Sequence, residues 1–327
     1  MNFSEIMSVL GIDHGTEGVR FCVLPEHILF ELDRRAALNV SVLKEIEDHF
    51  PLKDIELVGL AYSMGDGITN ITNIKKVENR GVLLEKTGRY VGGGTKVYDE
   101  IAGSGLKAVV IPGLHRNTPA IDPRFRALYS HMGASDKVSL SYHSYLRVNE
   151  DMDAGNIIIC DISSNTVTVA IKDGRFFGAI DACLGAAGLS HGPLDLETIR
   201  KIDAGEVTAN EAFYSSGVRY KFPEISKTEK PGEILDADSR DLKLAREALI
   251  LSAKMEIVSF LAEIKPDAFV ITGSAGVHKN VFNPLKESLE GTAQVFRING
   301  YTAAMGSAEI ARDVLAGRQD FLGIGVD

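Results

Sequence analysis

Two segments of the chain repeat one pattern, residues 11–21 and residues 160–170. In each, an apolar strand ends in an aspartate, Asp13 or Asp161, and a short turn of Gly, Ser, Thr or Asn leads into a second apolar strand. Small turn residues allow successive backbone N–H groups to converge on an anion. An aspartate repels phosphate, but it can hold Mg²⁺, usually through water, and the ion bridges phosphate oxygens. The repeat therefore predicts two similar lobes, each holding one side of a nucleotide's phosphate tail.

The two turns supply the candidate ligands of this site. We assign Asp13 and Asp161 as the metal pair. The predicted phosphate-binding residues are Gly15, Thr16, Ser163, Ser164, Asn165 and Thr166. A single turn of this kind would be an ordinary β-turn, and either aspartate could instead cap its own turn. The repetition favours the nucleotide site, because the strand ends of α/β lobes point at one crevice.

Two further segments complete the pattern. Residues 266–277 read as a buried strand that runs into the turn Gly273-Ser274-Ala275-Gly276 and a new helix. Small residues there allow adenine and ribose to lie against the backbone. Residues 303–316 read as a helix with small residues on one face, suited to close packing at a hinge.

The sequence thus contains two hairpins, a glycine-rich turn and a small-residue helix, in that order. This arrangement resembles the superfamily of acetate and sugar kinases, heat-shock chaperone ATPases and actin. The resemblance implies an α/β protein of two ribonuclease-H-like lobes, the actin-like ATPase fold, with a nucleotide cleft between them and with ATP and Mg²⁺ as cofactors. The first lobe is expected over residues 1–150, with the helix at about 306–320 packing back on it. The second lobe is expected over residues 151–305 and carries the adenosine-binding turn.

A closer resemblance is to an archaeal family, methanogenesis marker protein 12. It rests on residues 11–22, 111–126, 130–145 and 188–205. The resemblance implies the cytoplasm of a methanogen and a link to methane metabolism, but it assigns no reaction.

The charge and the apolar composition of the chain exclude several classes of binding partner and location. The formal net charge of −10 argues against nucleic acid and anionic membranes as partners. There is no basic and apolar leader and no run of 18 apolar residues, so we expect a soluble, cytoplasmic protein. The P-loop pattern is absent, as is a Gly-x-Gly-x-x-Gly between strand and helix.

The periodicity of apolar residues predicts the main elements. We expect a third strand near residues 28–32, a helix over 33–50, a crossing helix over 135–148 and an acidic linker at 149–155. Lys172-Asp-Gly-Arg175 predicts a tight hairpin turn. Strands that alternate with helices predict mainly parallel sheets.

Three residues beyond strand ends are candidates for catalysis. Asp66 lies in a Gly-Asp-Gly turn that would let it approach a γ-phosphate, and His115 and Arg116 could bind an anionic acceptor. A turn aspartate and a solvent-facing loop are equally good explanations. Three functions stay open: a kinase with a small-molecule acceptor, an ATP-dependent switch that acts on a protein client, and a nucleotide-binding module without turnover. A homodimer is compatible with all three.

Overall fold

The computed structural model describes residues 7–15, 18–62, 65–83, 93–222, 233–236 and 239–327. The chain divides into two compact units. The first is built from Met1–Glu150 and Tyr301–Asp327, and the second from Asp151–Gly300.

Six strands form the main sheet of the first unit within the described residues. They are β1 (Ser8–His14), β2 (Gly18–Leu24), β3 (Ile28–Asp33), β4 (Ile55–Ala61), β5 (Thr72–Asn73) and β6 (Ala108–Val110). The order across the sheet is β3-β2-β1-β4-β6-β5. Strands β1, β2 and β3 are antiparallel neighbours, whereas β1, β4 and β6 run parallel. Two small antiparallel sheets of two strands each belong to the same unit. They pair β7 (Leu114–His115) with β8 (His131–Gly133) and β14 (Asp320–Phe321) with β15 (Ile324–Gly325).

The described residues of the first unit form five α-helices. They are α1 (Val42–His49), α2 (Gly93–Gly103), α3 (Pro123–Leu128), α4 (Ser135–Asp151) and α11 (Thr302–Leu315). Alternate residues of β1 point to opposite faces. Leu10 and Ile12 join the apolar core that includes residues of α1 and α2, whereas Gly11 lies against α11.

Close backbone contact explains the small residues of α11. A Cβ at Gly11 would lie 2.1 Å from the carbonyl oxygen of Ala304, and one at Gly59 would lie 2.1 Å from that of Ser307. On the other side of the helix, a Cβ at Gly306 would lie 1.9 Å from the carbonyl oxygen of Ser139 on α4. Only glycine permits these approaches. The helix is therefore held between the sheet and α4.

The second unit repeats the sheet of the first. Its strands are β9 (Ile157–Ile162), β10 (Thr166–Lys172), β11 (Arg175–Ile180), β12 (Ala268–Thr272) and β13 (Gln294–Arg297), in the order β11-β10-β9-β12-β13. Strands β9, β10 and β11 are antiparallel neighbours, whereas β9, β12 and β13 run parallel. The order and directions match those of β3-β2-β1-β4-β6. Its helices are α5 (Leu196–Asp203), α6 (Ala209–Tyr214), α7 (Val218–Lys221), α8 (Glu233–Asp236), α9 (Arg240–Ser259) and α10 (Lys279–Leu289).

Three expectations about elements need correction. The sheets are mixed and not mainly parallel, because tight turns join the first three strands of each sheet and such turns connect antiparallel neighbours. The helix expected over 33–50 is two pieces, a 3-10 turn at Ala36–Leu38 and α1, whose N-cap Ser41 accepts a hydrogen bond from the backbone of Lys44. The acidic linker begins later, since α4 continues to Asp151.

The tight turn expected at residues 172–175 is confirmed. Asp173 and Gly174 have φ values of 52° and 70°. Positive φ at both central residues is the requirement of the type I′ hairpin turn, which Asp-Gly satisfies.

Candidate functional site

The predicted phosphate turn and adenosine turn of the second unit meet at Asp161. This residue is the last but one of β9, is 6% exposed, and lies opposite Thr272 at the end of β12. The Ser163 hydroxyl donates a hydrogen bond of 2.7 Å to Asp161 Oδ1. The carboxylate is therefore held at the shared end of two parallel strands, where ligands of α/β sheets bind.

The turn after β12 packs directly on this carboxylate. Gly273 has a φ of +87°, and a Cβ there would lie 2.1 Å from Asp161 Oδ1 and 2.5 Å from Ser163 Oγ. The backbone N–H of Ser274 donates to Ser163 Oγ at 3.3 Å. Only glycine combines this conformation with this approach.

The rest of the same turn is fixed to the end of β9. The N–H groups of Ala275 and Gly276 both donate to the carbonyl oxygen of Ile162, at 3.0 and 2.8 Å. Ala275 is fully buried, and a Cβ at Gly276 would lie 2.1 Å from the carbonyl oxygen of Thr272. The predicted Gly273 to Gly276 turn and the predicted turn at Asp161 thus form one connected structure.

Two carbonyl groups of the phosphate turn accept hydrogen bonds from the loop that follows β11. Leu189 N–H donates to Ser163 O at 3.0 Å, and the N–H groups of Ser190 and His191 donate to Ser164 O at 2.9 and 2.8 Å. In the described part of the chain, the N–H groups of Ser164 and Asn165 donate no hydrogen bond. Both residues are half-buried. These two N–H groups are the donors that an anion could use.

Thr166 has a different role from the other turn residues. It is fully buried, and its hydroxyl donates a hydrogen bond of 2.9 Å to the carbonyl oxygen of Ala187. The hydroxyl therefore stabilises the loop that follows β11, and it does not point to a ligand.

In the first unit, Asp13 occupies the equivalent position on β1. It is also last but one in its strand and is 4% exposed. Arg20 stands opposite it on β2, and its Nη1 lies 3.6 Å from Asp13 Oδ2. Arg20 also approaches Glu31 at 3.4 Å and lies over the ring of Tyr301. Burial disfavours the charge of Arg20, but the carboxylates of Asp13 and Glu31 outweigh that effect and raise its pKa.

A second arginine lies at the turn that follows β1. Arg34 Nη1 donates to the carbonyl oxygen of Gly15 at 3.4 Å. The neighbouring His14 ring stacks on Tyr62, with centroids 5.7 Å apart. Burial, with a smaller contribution from Arg34, lowers the pKa of His14 to about 3, so the ring is neutral. Thr16, the other predicted ligand of this turn, lies outside the described residues.

The three candidate catalytic residues are engaged in internal contacts to different degrees. His115 is 2% exposed, its Nε2 lies 2.8 Å from Ile68 O, and its Nδ1 accepts a hydrogen bond from Asn117 N–H. Burial lowers the pKa of this histidine, although the field of Asp66 opposes the shift. Asp66 Oδ1 accepts a hydrogen bond of 3.0 Å from Leu83 N–H.

Arg116 contrasts with its buried neighbour. Its side chain is exposed, while its backbone N–H donates to Ser130 O. Both ring nitrogens of His115 are occupied, so Arg116 is the exposed member of the predicted acceptor-binding pair.

The side chains that could hold a metal ion at these turns are the carboxylates of Asp13 and Asp161. Within the described residues, no three His, Cys, Asp or Glu side chains are grouped as a metal site. Mg²⁺ is commonly held by one or two carboxylates together with water and substrate phosphates. Asp161 is fixed beside a glycine turn and beside two N–H groups that donate no hydrogen bond within the described part of the chain, and it fits this manner of binding.

Two functional candidates, Arg20 and Arg34, were missed by sequence reasoning. Arg20 stands within the apolar strand β2, and a charge inside such a strand is the signal that could have identified it. Arg34 carried no comparable signal, because it lies in a polar segment after β3.

Comparison of the whole chain with known proteins identifies its family. A UPF0285 protein of Methanococcus maripaludis is 47% identical over 332 residues, which span 98% of this chain and 100% of the relative. A UPF0285 protein of Methanocaldococcus jannaschii is 47% identical over 334 residues, 98% of this chain and 99% of the relative. The chain belongs to the UPF0285 family. No protein-family model matches it. These UPF0285 relatives come from methanogens, whereas the narrower resemblance to methanogenesis marker protein 12 stays a prediction.

Solved structures show the fold. An acetate kinase of Porphyromonas gingivalis has a TM-score of 0.64 at 14% identity, covering 94% of this chain and 99% of that one. A ROK family glucokinase of Streptomyces griseus, in complex with glucose and AMPPNP, has a TM-score of 0.54 at 16% identity, covering 94% and 99%. The predicted α/β class and actin-like ATPase fold are therefore confirmed for this UPF0285 chain. In the described regions, no helix has the length and apolar composition needed to cross a membrane.

Proposed function

We propose that the protein binds Mg-ATP and acts as a phosphotransferase of the acetate and sugar kinase type. The contact between Gly273 and the Asp161 carboxylate carries this proposal. It places a glycine-rich turn against a buried aspartate and two backbone N–H groups that donate to no acceptor among the described residues. The glucokinase that shares the fold is described with AMPPNP bound, which supports an adenine nucleotide as the ligand.

Each residue has a proposed role in this site. Asp161 would hold Mg²⁺, in part through water, and the N–H groups of Ser164 and Asn165 would bind phosphate oxygens. The turn from Gly273 to Gly276 takes the adenosine. Bound Mg²⁺ would neutralise phosphate charge during transfer.

We assign a second set of phosphate-binding groups to the first unit. Asp13 would hold Mg²⁺, and the backbone at Gly15 would bind phosphate. Arg20 Nη1 lies 3.6 Å from Asp13 Oδ2, which is longer than a hydrogen bond, and Arg20 Nε donates to Glu31 at 3.4 Å. We expect its guanidinium to turn to a phosphate when nucleotide binds, because charged donors prefer phosphate oxygens.

A second function, an ATP-hydrolysing switch that acts on a protein client, is favoured by the state of His115. This histidine is buried with both ring nitrogens engaged, and Asp66 accepts a backbone hydrogen bond. Of the predicted acceptor-binding groups, Arg116 alone is left exposed. One exposed arginine is a weak site for a small acceptor, whereas hydrolysis requires only water.

Thermal unfolding with and without Mg-ATP tests nucleotide binding. A ligand that binds only the folded protein at 100 times its Kd adds about 2.7 kcal/mol to the free energy of unfolding. We expect the parent to show this shift and Asp161→Asn to lose it. Asp173→Asn is the matched control, since it makes the same change in the hairpin turn at the other end of β10 and should keep the shift. Equal shifts in parent and Asp161→Asn would reject the assignment of Asp161.

Turnover separates the candidate functions. ADP formation from Mg-ATP that depends on a carboxylate or sugar acceptor would identify a kinase. ADP formation without any acceptor would identify the switch, and binding without ADP would identify a module that only holds nucleotide.

A further inference from the structure

Helix α9 carries two apolar faces, and among the described residues only one of them is buried within its unit. Ala245, Leu249, Ala253 and Ile257 are buried. A second row consists of Leu244, Ala248, Leu251, Met255 and Val258. The four large members of this row are 49%, 59%, 65% and 42% exposed in that order, and Ala248 is half-buried. Single exposed apolar side chains are ordinary, but a continuous row marks a contact surface.

The spacing of this second row matches the seam of a helix pair. From Leu244 to Val258 the steps along the chain alternate between four and three residues. Alternating steps of four and three place apolar side chains along one line of a helix, where a second helix packs against them. The row covers two full repeats, and each of its positions is apolar. We call these five residues the α9 seam.

The charges beside the α9 seam determine which helix fits it. Glu247 and Lys254 flank the seam on one side, while Ser252 and Ser259 stand at the corresponding positions on the other side. In an antiparallel pair of identical helices, the side chains of one such flank meet the same flank of the other copy. Glu247 then faces Lys254 of the second copy, and the symmetry forms this pair twice. A parallel pair would place each charge opposite a serine, with no attraction.

A groove opens on the charged side of the seam. It has a volume of about 570 Å³ between α9 and α10 and is lined by Glu247, Leu251 and Lys254 with Asn283, Pro284 and Glu287 of α10. The groove gives the flanking side chains of a second helix a place beside the seam. Lys243 also lies 3.9 Å from Glu247 across one helical turn, an exposed pair that contributes little.

We propose that the protein forms a homodimer in which the α9 seams of two copies pack antiparallel about a two-fold axis near Leu251. The occupant of the seam is thus a second copy of this chain. The proposal does not depend on nucleotide binding, since it rests on α9 and α10 alone.

Sedimentation velocity of the full chain tests the dimer. The parent is expected to sediment as a dimer and Leu251→Glu as a monomer, because two carboxylates would meet at the axis. Leu128→Glu is the matched control, since Leu128 on α3 is 71% exposed and lies in the other unit, and it should stay dimeric. Far-UV circular dichroism checks that each variant is folded. A monomeric parent, or a Leu251→Glu variant that stays dimeric, overturns the proposal.

Charge reversal tests the antiparallel arrangement. Glu247→Lys and Lys254→Glu should each raise the Kd of the dimer roughly tenfold, since two weak attractions become two repulsions. The double variant should recover the parent value, and a mixture of the two single variants should form heterodimers in preference to homodimers. Additive losses in the double variant, or no preference in the mixture, would contradict the antiparallel pairing.

Discussion

Replacing Gly273 with alanine tests the contact on which the nucleotide site depends. The new Cβ would lie 2.1 Å from Asp161 Oδ1, 2.5 Å from Ile162 O and 2.5 Å from Ser163 Oγ. Alanine would also have to adopt a φ of +87°, which L-residues avoid. The substitution therefore combines a backbone penalty with a steric one.

The chain contains glycines that separate these two penalties. Gly205 has a φ of +72°, but a Cβ added there would meet no atom within 4 Å, and Gly291 has neither restriction. Gly205→Ala should lower the free energy of unfolding by about 1 to 2 kcal/mol, the cost of the left-handed conformation. Gly291→Ala should change it by less than about 1 kcal/mol, in either direction. Gly273→Ala adds the cost of overpacking, about 1 to 3 kcal/mol, for a total of roughly 2 to 5 kcal/mol.

Urea unfolding followed by far-UV circular dichroism measures the three variants, which all lie in the second unit. The predicted order of destabilisation is Gly273→Ala, then Gly205→Ala, then Gly291→Ala. Folded Gly273→Ala should also lose its thermal shift with Mg-ATP, whereas the other two should keep it. If Gly273→Ala cost no more than Gly205→Ala, the turn would have room beside Asp161 and our interpretation of the contact would be wrong.

Three further predictions concern separate contacts. Burial raises the pKa of Glu256 to about 7 from its usual 4.5, so the stability that this group contributes is complete below pH 4.5 and is lost as the pH rises through 7. Relative to Glu256→Gln, the free energy of unfolding of the parent should fall by up to about 3 kcal/mol between these pH values in urea unfolding. A difference between the two proteins that does not change with pH would contradict the raised pKa. Arg20→Met should weaken Mg-ATP binding about tenfold or more by calorimetry, because a hydrogen bond to a charged group contributes about 1.5 to 3 kcal/mol, while Lys107→Met, at an exposed lysine, should not. Gly306→Ala should destabilise the first unit by about 3 kcal/mol or more through contact with Ser139 O, whereas Gly103→Ala, which meets no neighbouring atom, should be close to neutral in the same assay.

Local chemistry made much of the second unit predictable. The residues around Asp161 and the turn from Gly273 to Gly276 are short segments whose composition reflects their own backbone conformation. Each can be recognised without knowing its neighbours. The register between β9 and β12, which brings Asp161 opposite Thr272, then joins the two segments.

The first unit shows where sequence reasoning stops. The pairing of Arg20 with Asp13 depends on the register of β1 and β2. The ring hydrogen bond of His115 depends on the carbonyl oxygen of Ile68, which is distant in sequence. A histidine after a strand has the same sequence signal whether its ring nitrogens are free or bonded. The directions of the strands were predicted wrongly for a related reason. The periodicity of apolar residues indicates which side chains are buried, and it does not indicate the direction of the neighbouring strand.

The position of α11 has a consequence for synthesis of the protein. This helix follows the second unit in the chain, yet it covers Gly11 and Gly59 on the sheet of the first unit. The first unit thus cannot bury that face until residues 302–315 have been translated. The second unit, a continuous segment of chain, has all of its strands before α11 is made. We therefore expect the first unit to finish folding after the second, and nascent chains to need protection of that exposed face until α11 has been translated.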